Sequence, residues 1–216
     1  MDTFRVCFVC TGNICRSPMA EAVFRSHVEE AGLEDRIAVS SAGTGGWHVG
    51  DPADPRTAET LESAGYELVH SARQFEPEWF AGQDLVVALD EGHERELRAM
   101  APTPRDAAKV RLLRSYDPTA SERDGFGFDV PDPYYGGTRG FDDVLRLVEA
   151  AVPGLLSEVA ATLDAATLDT ADPDAATPDA ADREEAHGQR AHRPQARQQS
   201  RPQSRREAAQ RKAAGR

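Results

Sequence analysis

No cysteine follows Cys15 in this 216-residue chain, and the three present (Cys7, Cys10, Cys15) lie within nine positions. That spacing excludes a disulfide framework. In a reducing compartment it leaves metal, redox or nucleophilic chemistry. No apolar run approaches the roughly 20 residues that span a bilayer. The opening MDTFRVCFVCTGN has neither a basic leader nor a small-residue cleavage site, so a cytoplasmic location is expected, with leaderless secretion left open. From Ala165 onward there is no aromatic residue, no Ile, Val or Met, and one leucine, Leu168. Such a segment buries too little apolar surface to offset the entropy of ordering it, so residues 165–216 are predicted to be a disordered tail.

Charge is segregated along the chain. Residues 165–185 carry seven acids and one Arg, and residues 186–216 carry nine Lys/Arg and one Glu. With a total of −12, those segments (−6 and +8) leave −14 for residues 1–164. The polar tail also accounts for a mean hydropathy of −0.57 beside a hydrophobic content of 39%. The reading is one folded acidic domain, 1–164, and a tail whose acidic half precedes a basic half. The acidic domain repels nucleic acid and anionic membrane, so nucleic acid is not the expected partner of the domain. The basic half could bind either of these, an acidic partner or its own domain, or is simply a solvated tail.

Within 1–164, apolar stretches alternate in kind. FRVCFV (4–9), RIAVS (36–40), DLVVAL (84–89) and KVRLL (109–113) read as strands. Helices are predicted from Ser17-Pro18 to a stop at Gly32, over 55–64 with a stop at Gly65, over 91–100, and from Gly140 through GFDDVLRLVEAAVPGLLSEVAATL. Strands alternating with helices predict an α/β fold of three layers: a four-stranded parallel sheet with helices on both faces. Ligands of such sheets bind outside the carboxyl ends of the strands, and Cys10 sits at the end of the first.

The stretch VCFVCTGNICRSPMAE (6–21) carries the chemistry. Cys7-Phe-Val-Cys10 has C-x-x-C spacing, but two residues three apart on a strand lie about 10 Å apart and on opposite faces, beyond disulfide reach. Cys7 therefore reads as core, and no further cysteine completes a zinc site. The loop lacks the lysine of a nucleotide-binding P-loop and the three glycines of a dinucleotide fingerprint. Two readings remain: a plain strand-to-helix turn, or a phosphate-binding loop. In the second, the amides of Thr11, Gly12, Asn13, Ile14, Cys15 and Arg16 curl into a nest at a helix N-terminus. Arg16 supplies a planar fork for two phosphate oxygens. Cys10 is the nucleophile, in surroundings that favour its thiolate, and the Ser17 hydroxyl reaches back to the sulfur. Gly12 and Asn13 tolerate the left-handed backbone a tight loop requires.

Expelling an alkoxide or phenoxide needs a general acid. DVPDPYYGG (129–137) offers Asp132 between two prolines, beside Tyr134 and Tyr135; a surface Pro-Asp turn is the alternative.

VCTGNICRSPMAE together with DPYYG resembles the low-molecular-weight protein tyrosine phosphatases, especially their actinobacterial members, as do SSAGTGGWHVGDPADPR (40–56) and HSARQ (70–74). The resemblance covers roughly residues 4–160. It implies that Cys10 forms a phosphocysteine, that Arg16 binds the phosphate, and that Asp132 acts first as acid and then as base. It implies that Asn13, Ser41 and His70, with Ser17, hold the loop's shape, and that Ile14, Trp47, Tyr134 and Tyr135 wall a slot for an aromatic ring; plain core packing is the alternative for Trp47 and His70. It implies no metal and no cofactor, phosphotyrosine-containing proteins as substrates in signalling, and a tyrosine kinase as a partner if Tyr134 or Tyr135 is itself phosphorylated. Cys15 is either a passive loop residue or the partner of Cys10 in a reversible disulfide.

Three rivals are weighed. An arsenate reductase of the same fold needs two further cysteines, which are missing after Cys15. A phosphoarginine phosphatase tends to carry Thr where this chain has Ile14. A non-catalytic phosphotyrosine-binding module would not need Cys10, Arg16 and Asp132 together.

Overall fold

The computed structural model describes residues 3–121 and 125–169, so the predicted disorder and charge segregation from residue 170 onward lie outside the described residues. FRVCFVC forms β1 (Phe4–Cys10), one of the two interior strands of four. It lies between β2 (Ile37–Gly43) and β3 (Leu85–Ala88), with β4 (Val110–Leu112) beyond β3. All three pairings are parallel, in register from Phe4 opposite Ile37 to Cys10 opposite Gly43, and from Val6 opposite Leu85 to Val9 opposite Ala88.

Because successive side chains on a strand point to opposite faces, β1 feeds two cores. Val6, Phe8 and Cys10 enter one with α1 (Arg16–Glu30), α2 (Pro55–Ala64) and α5 (Thr138–Asp169). Cys7 and Val9 enter the other with α3 (Glu91–Met100) and a 3-10 turn, Pro77–Gly82. The three-layer parallel architecture is as predicted, and Cys7 and Cys10 do face opposite sides. On the first face Phe8 and Phe24 meet edge to face with ring centroids 5.5 Å apart. On the second, Phe75 and Phe80 do the same at 5.0 Å. Each fully buried aromatic or aliphatic side chain of this kind contributes about 1.5–3 kcal/mol.

Local signals start the helices as expected. Asp54 caps α2 and Asp90 caps α3, each accepting a backbone N–H, from Arg56 at 2.9 Å and His93 at 2.8 Å. Two boundaries differ from expectation. β2 continues three residues past Ser40, because the small Ser41, Ala42 and Gly43 pair with Phe8, Val9 and Cys10. α5 runs to Asp169, five residues into the segment predicted to be disordered; its Ala-rich turns are good helix formers despite lacking a hydrophobic face. A short helix α4 (Pro104–Ala107) and a 3-10 turn, Leu113–Tyr116, were not predicted.

The compact unit spans Met1–Ala166. The chain leaves β2 on one side of β1 and returns to β3 on the other, which opens a crevice at the carboxyl ends of β1 and β3. Cys10 and Asp90 both stand at that crevice.

Candidate active site

Five residues, Thr11 to Cys15, turn the chain from β1 into α1. The carbonyls of Cys10, Thr11, Ile14 and Cys15 are engaged by the surrounding scaffold. Thr44 N–H donates to Cys10 O at 2.8 Å, Gly45 N–H to Thr11 O at 2.9 Å, Asp54 N–H to Ile14 O at 2.8 Å and Met19 N–H to Cys15 O at 3.3 Å. The N–H groups of Thr11–Cys15 donate no hydrogen bond among the described residues. Cys15 opens α1 without a side-chain cap. A loop whose acceptors are held and whose donors are uncommitted, at a helix N-terminus, is suited to an anion. Of the two residues expected to tolerate a left-handed backbone, Asn13 adopts it, with φ 55, and Gly12 does not. Gly43 closes the rear of the loop, where a Cβ would lie 2.6 Å from Thr11 O and 3.0 Å from Asn13 N.

Asn13 organises the interior. Its amide N–H2 donates to Ser17 Oγ at 2.9 Å and to Ser41 Oγ at 2.8 Å, while its side-chain oxygen accepts Arg73 N–H at 2.9 Å. The backbone acceptor fixes which end of the amide is which. Ser41, already an acceptor, donates to Glu21 Oε2 at 2.6 Å. Ser17, likewise, has its proton for Cys10 Sγ at 3.0 Å or Ala42 O at 3.2 Å. His70 Nε2 lies 2.6 Å from Asn13 O, and because a carbonyl only accepts, that nitrogen carries the proton. The predicted Asn13, Ser41, His70 and Ser17 network is present. Burial is the main cause that holds the His70 ring below its usual proton affinity, against the bond to Asn13.

Arg16 is 4% exposed, and both of its terminal nitrogens have partners. Nη1 donates to Asp90 Oδ2 at 2.8 Å and Val130 O at 3.2 Å; Nη2 reaches Thr11 Oγ1 at 3.2 Å and Asp132 Oδ2 at 3.4 Å. Thr11 Oγ1 also bonds His93 Nε2 at 2.8 Å. His93 Nδ1 stands 2.9 Å from Asp90 Oδ1 but off the hydrogen-bonding direction, so the backbone amide of His93 is that oxygen's true partner. For the Asp90 carboxyl, burial acts upward, but the His93 ring and amide and the Arg16 charge outweigh it and hold it below the usual carboxylate range. It is therefore the fixed counterion of Arg16.

Asp132 faces the same guanidinium from the opposite loop, its side chain 45% exposed, and accepts Tyr134 N–H at 3.1 Å. Arg56, held by both oxygens of Asp54, donates to Tyr134 O at 3.1 Å and Gly136 O at 3.2 Å. Between the two loops is a cleft of about 330 Å³ with Cys10, Cys15 and Arg16 at its base and Ile14, Trp47, Asp132, Tyr134 and Tyr135 around it. Trp47 is 70% exposed, which rules out core packing and makes it a rim residue. Tyr134 and Tyr135 pack edge to face at 5.0 Å, the latter projecting into solvent.

All three thiols are free and buried. Burial pushes Cys7 and Cys15 up to about 12, with Asp54 and Cys10 adding to the effect at Cys15.

Every site residue named from sequence lies in or directly behind this cleft. Asp90, His93, Glu21, Arg73, Arg56 and His48 were missed. Asp90 had one readable signal: an acid immediately after a strand, at the end of the sheet where ligands bind. Glu21, His48, Arg56 and Arg73 lie in the stretches that carry the family resemblance but had no role assigned, and His93 has no signal, since it meets the loop only through the fold.

Residues 5–165 match the family of the low molecular weight phosphotyrosine protein phosphatases. The chain is 65% identical over 157 residues (73% of the chain, 94% of the relative) to a low molecular weight protein-tyrosine-phosphatase of Streptomyces coelicolor. It is 49% identical over 154 residues (71% and 90%) to low molecular weight protein-tyrosine phosphatase A of Mycobacterium tuberculosis. A protein tyrosine phosphatase structure from Entamoeba histolytica superposes with a TM-score of 0.70 at 32% identity, covering 74% of this chain and 99% of that one. On these matches, which span the domain that carries the loop and the cleft, the chain belongs to the low molecular weight phosphotyrosine protein phosphatase family.

Proposed function

We propose that this protein hydrolyses phosphotyrosine in proteins by way of a phosphocysteine on Cys10. The observation that carries the reading is the meeting, in one cleft, of a sulfur bonded to Ser17 Oγ at 3.0 Å and a guanidinium, itself bonded to Asp132 at 3.4 Å. A phosphate dianion seated on the loop amides and Arg16 presents its phosphorus to Cys10 Sγ. Its arrival competes with Asp132 for Arg16. The thiolate attacks phosphorus, the P–O bond to the aryl group breaks, and Asp132 gives its proton to the departing oxygen. In the second step Asp132, now a carboxylate, takes a proton from water. The water oxygen attacks phosphorus, and Cys10 leaves as thiolate, stabilised by the Ser17 hydroxyl. Asp90, which keeps its charge, holds Arg16 in one orientation throughout.

The half-buried Ile14 with the rim rings of Trp47 and Tyr134 supports a flat aromatic leaving group. The same residues speak against phosphoarginine, whose guanidinium would gain nothing from Ile14. Proteins bearing phosphotyrosine are thus the partners, and free, clustered thiols suit a reducing compartment. The test is turnover of p-nitrophenyl phosphate and of phosphotyrosine and phosphoarginine peptides. Turnover should vanish in Cys10→Ser and fall about 10²-fold or more in Asp132→Ala. A wild-type protein that binds phosphotyrosine peptides without turning them over is a binding module and ends the proposal.

A further inference from the structure

Asp132 stands on a segment that no helix or strand supports, so its position must come from other ties. Downstream, Arg56 holds the carbonyls of Tyr134 and Gly136. Upstream, the backbone is held at Val130, whose N–H donates to Leu89 O at 2.8 Å and whose carbonyl accepts from Arg16. Before that comes a residue unconnected with substrate. Arg114, on the 3-10 turn Leu113–Tyr116, is 1% exposed, and its Nη1 donates to Gly127 O at 2.6 Å and Asp129 O at 3.3 Å. Its Nη2 stands 3.6 Å from the buried Asp117 carboxylate. Asp129 in turn accepts the amide of Glu91, at the start of α3, at 2.8 Å.

A buried guanidinium is costly to desolvate and is retained where its fork of donors does what an apolar side chain cannot. Here the fork gathers carbonyls two residues apart on a strand of backbone that leads, three residues later, to the general acid. Resting on the function proposed above, we infer that Arg114 is a positioning residue for catalysis: by fixing the 127–130 backbone from inside the core it sets the reach of the Asp132 carboxyl over the cleft, without touching substrate. Lysine, a point charge on a flexible stem, cannot reproduce the fork.

The experiment compares phenyl phosphate, whose leaving group needs a proton, with p-nitrophenyl phosphate, whose leaving group needs it less. In Arg114→Lys, the loss of kcat/KM, which reports the steps up to departure of the leaving group and not the shared hydrolysis of the phosphocysteine, should be greater on phenyl phosphate than on p-nitrophenyl phosphate by about 10-fold or more. In an Asp132→Ala background the same substitution should cost less than about 2-fold, because the residue it positions is gone. Gly127→Ala provides a second route if Arg114→Lys fails to fold: its φ of 58 puts strain on one of the carbonyls Arg114 holds, with no neighbouring atom within 4 Å of the new methyl. It should show the same substrate dependence. Equal losses on both esters in folded variants, or a full Arg114→Lys loss added to that of Asp132→Ala, overturns the inference. If Asp132→Ala itself leaves phenyl phosphate hydrolysis intact, the acid role proposed for Asp132 fails instead.

Discussion

Asn13 is the residue on which the loop's shape depends, and replacing it separates two costs. Asn13→Ala removes three side-chain hydrogen bonds, to Ser17, Ser41 and the Arg73 amide. At about 1 kcal/mol each they come to about 3 kcal/mol, and the Arg73 amide is left without that acceptor. Alanine at φ 55 adds about 1 kcal/mol of left-handed strain that asparagine largely avoids. The sum, about 4 kcal/mol, is a large share of the 5–15 kcal/mol that holds a domain together. Asn13→Gly relieves the strain but none of the lost bonds, and gives back at most about 1 kcal/mol after its own chain-entropy cost. Urea unfolding of the three proteins at one pH reads these differences directly, and p-nitrophenyl phosphate turnover should fall in both variants. If glycine restores wild-type stability and turnover, the left-handed backbone alone matters and the hydrogen-bond account is wrong.

Other outcomes follow from neighbouring residues. Asp90→Asn keeps the α3 cap but removes the charge on Arg16, and kcat/KM should drop about 10²-fold, matching the ~1.5–3 kcal/mol of a charge-assisted bond; an unchanged value would mean that Arg16 needs no counterion. Gly43→Ala drives a methyl to 2.6 Å from Thr11 O and should weaken inorganic phosphate inhibition more than it lowers the unfolding midpoint. The His70 ring is held neutral in the fold, so the unfolded chain takes up the proton first as pH falls; stability is full above about 6.5 and declines below it, and His70→Gln should flatten that decline in urea midpoints measured between pH 5 and 7.5. Burial keeps Cys7 and Cys15 protonated at neutral pH, so iodoacetate followed by peptide mass mapping should label Cys10 alone; carboxymethyl Cys15 would contradict the buried environment described for it.

The run from strand to Cys10 to helix was readable because every feature of it is local: β-branched residues that favour extension, a residue at Asn13 able to turn left-handed, and Pro18 in the first turn of α1. Asp132 was readable because two prolines and two tyrosines mark it. What sequence could not supply was contact between distant segments. Arg16 meets Asp90 across 74 positions and Val130 across 114, and Arg114 reaches Asp129 across 15 through an irregular loop with no period to read. Trp47 was expected to wall the slot, with core packing as the alternative, and packing left it exposed. The end of α5 was misjudged because helix propensity there outlasts the apolar pattern.

The amino-acid order alone determined the kind of sheet and pointed to Cys10, its loop and Asp132 as candidates, since local propensity and motif spacing are properties of neighbouring residues. The tertiary structure decided which charges flank Arg16, which arginines hold the acid loop and which rings border the cleft. Those depend on how parallel strands bring remote segments to one edge, and many sequences with the same local pattern would bring different ones.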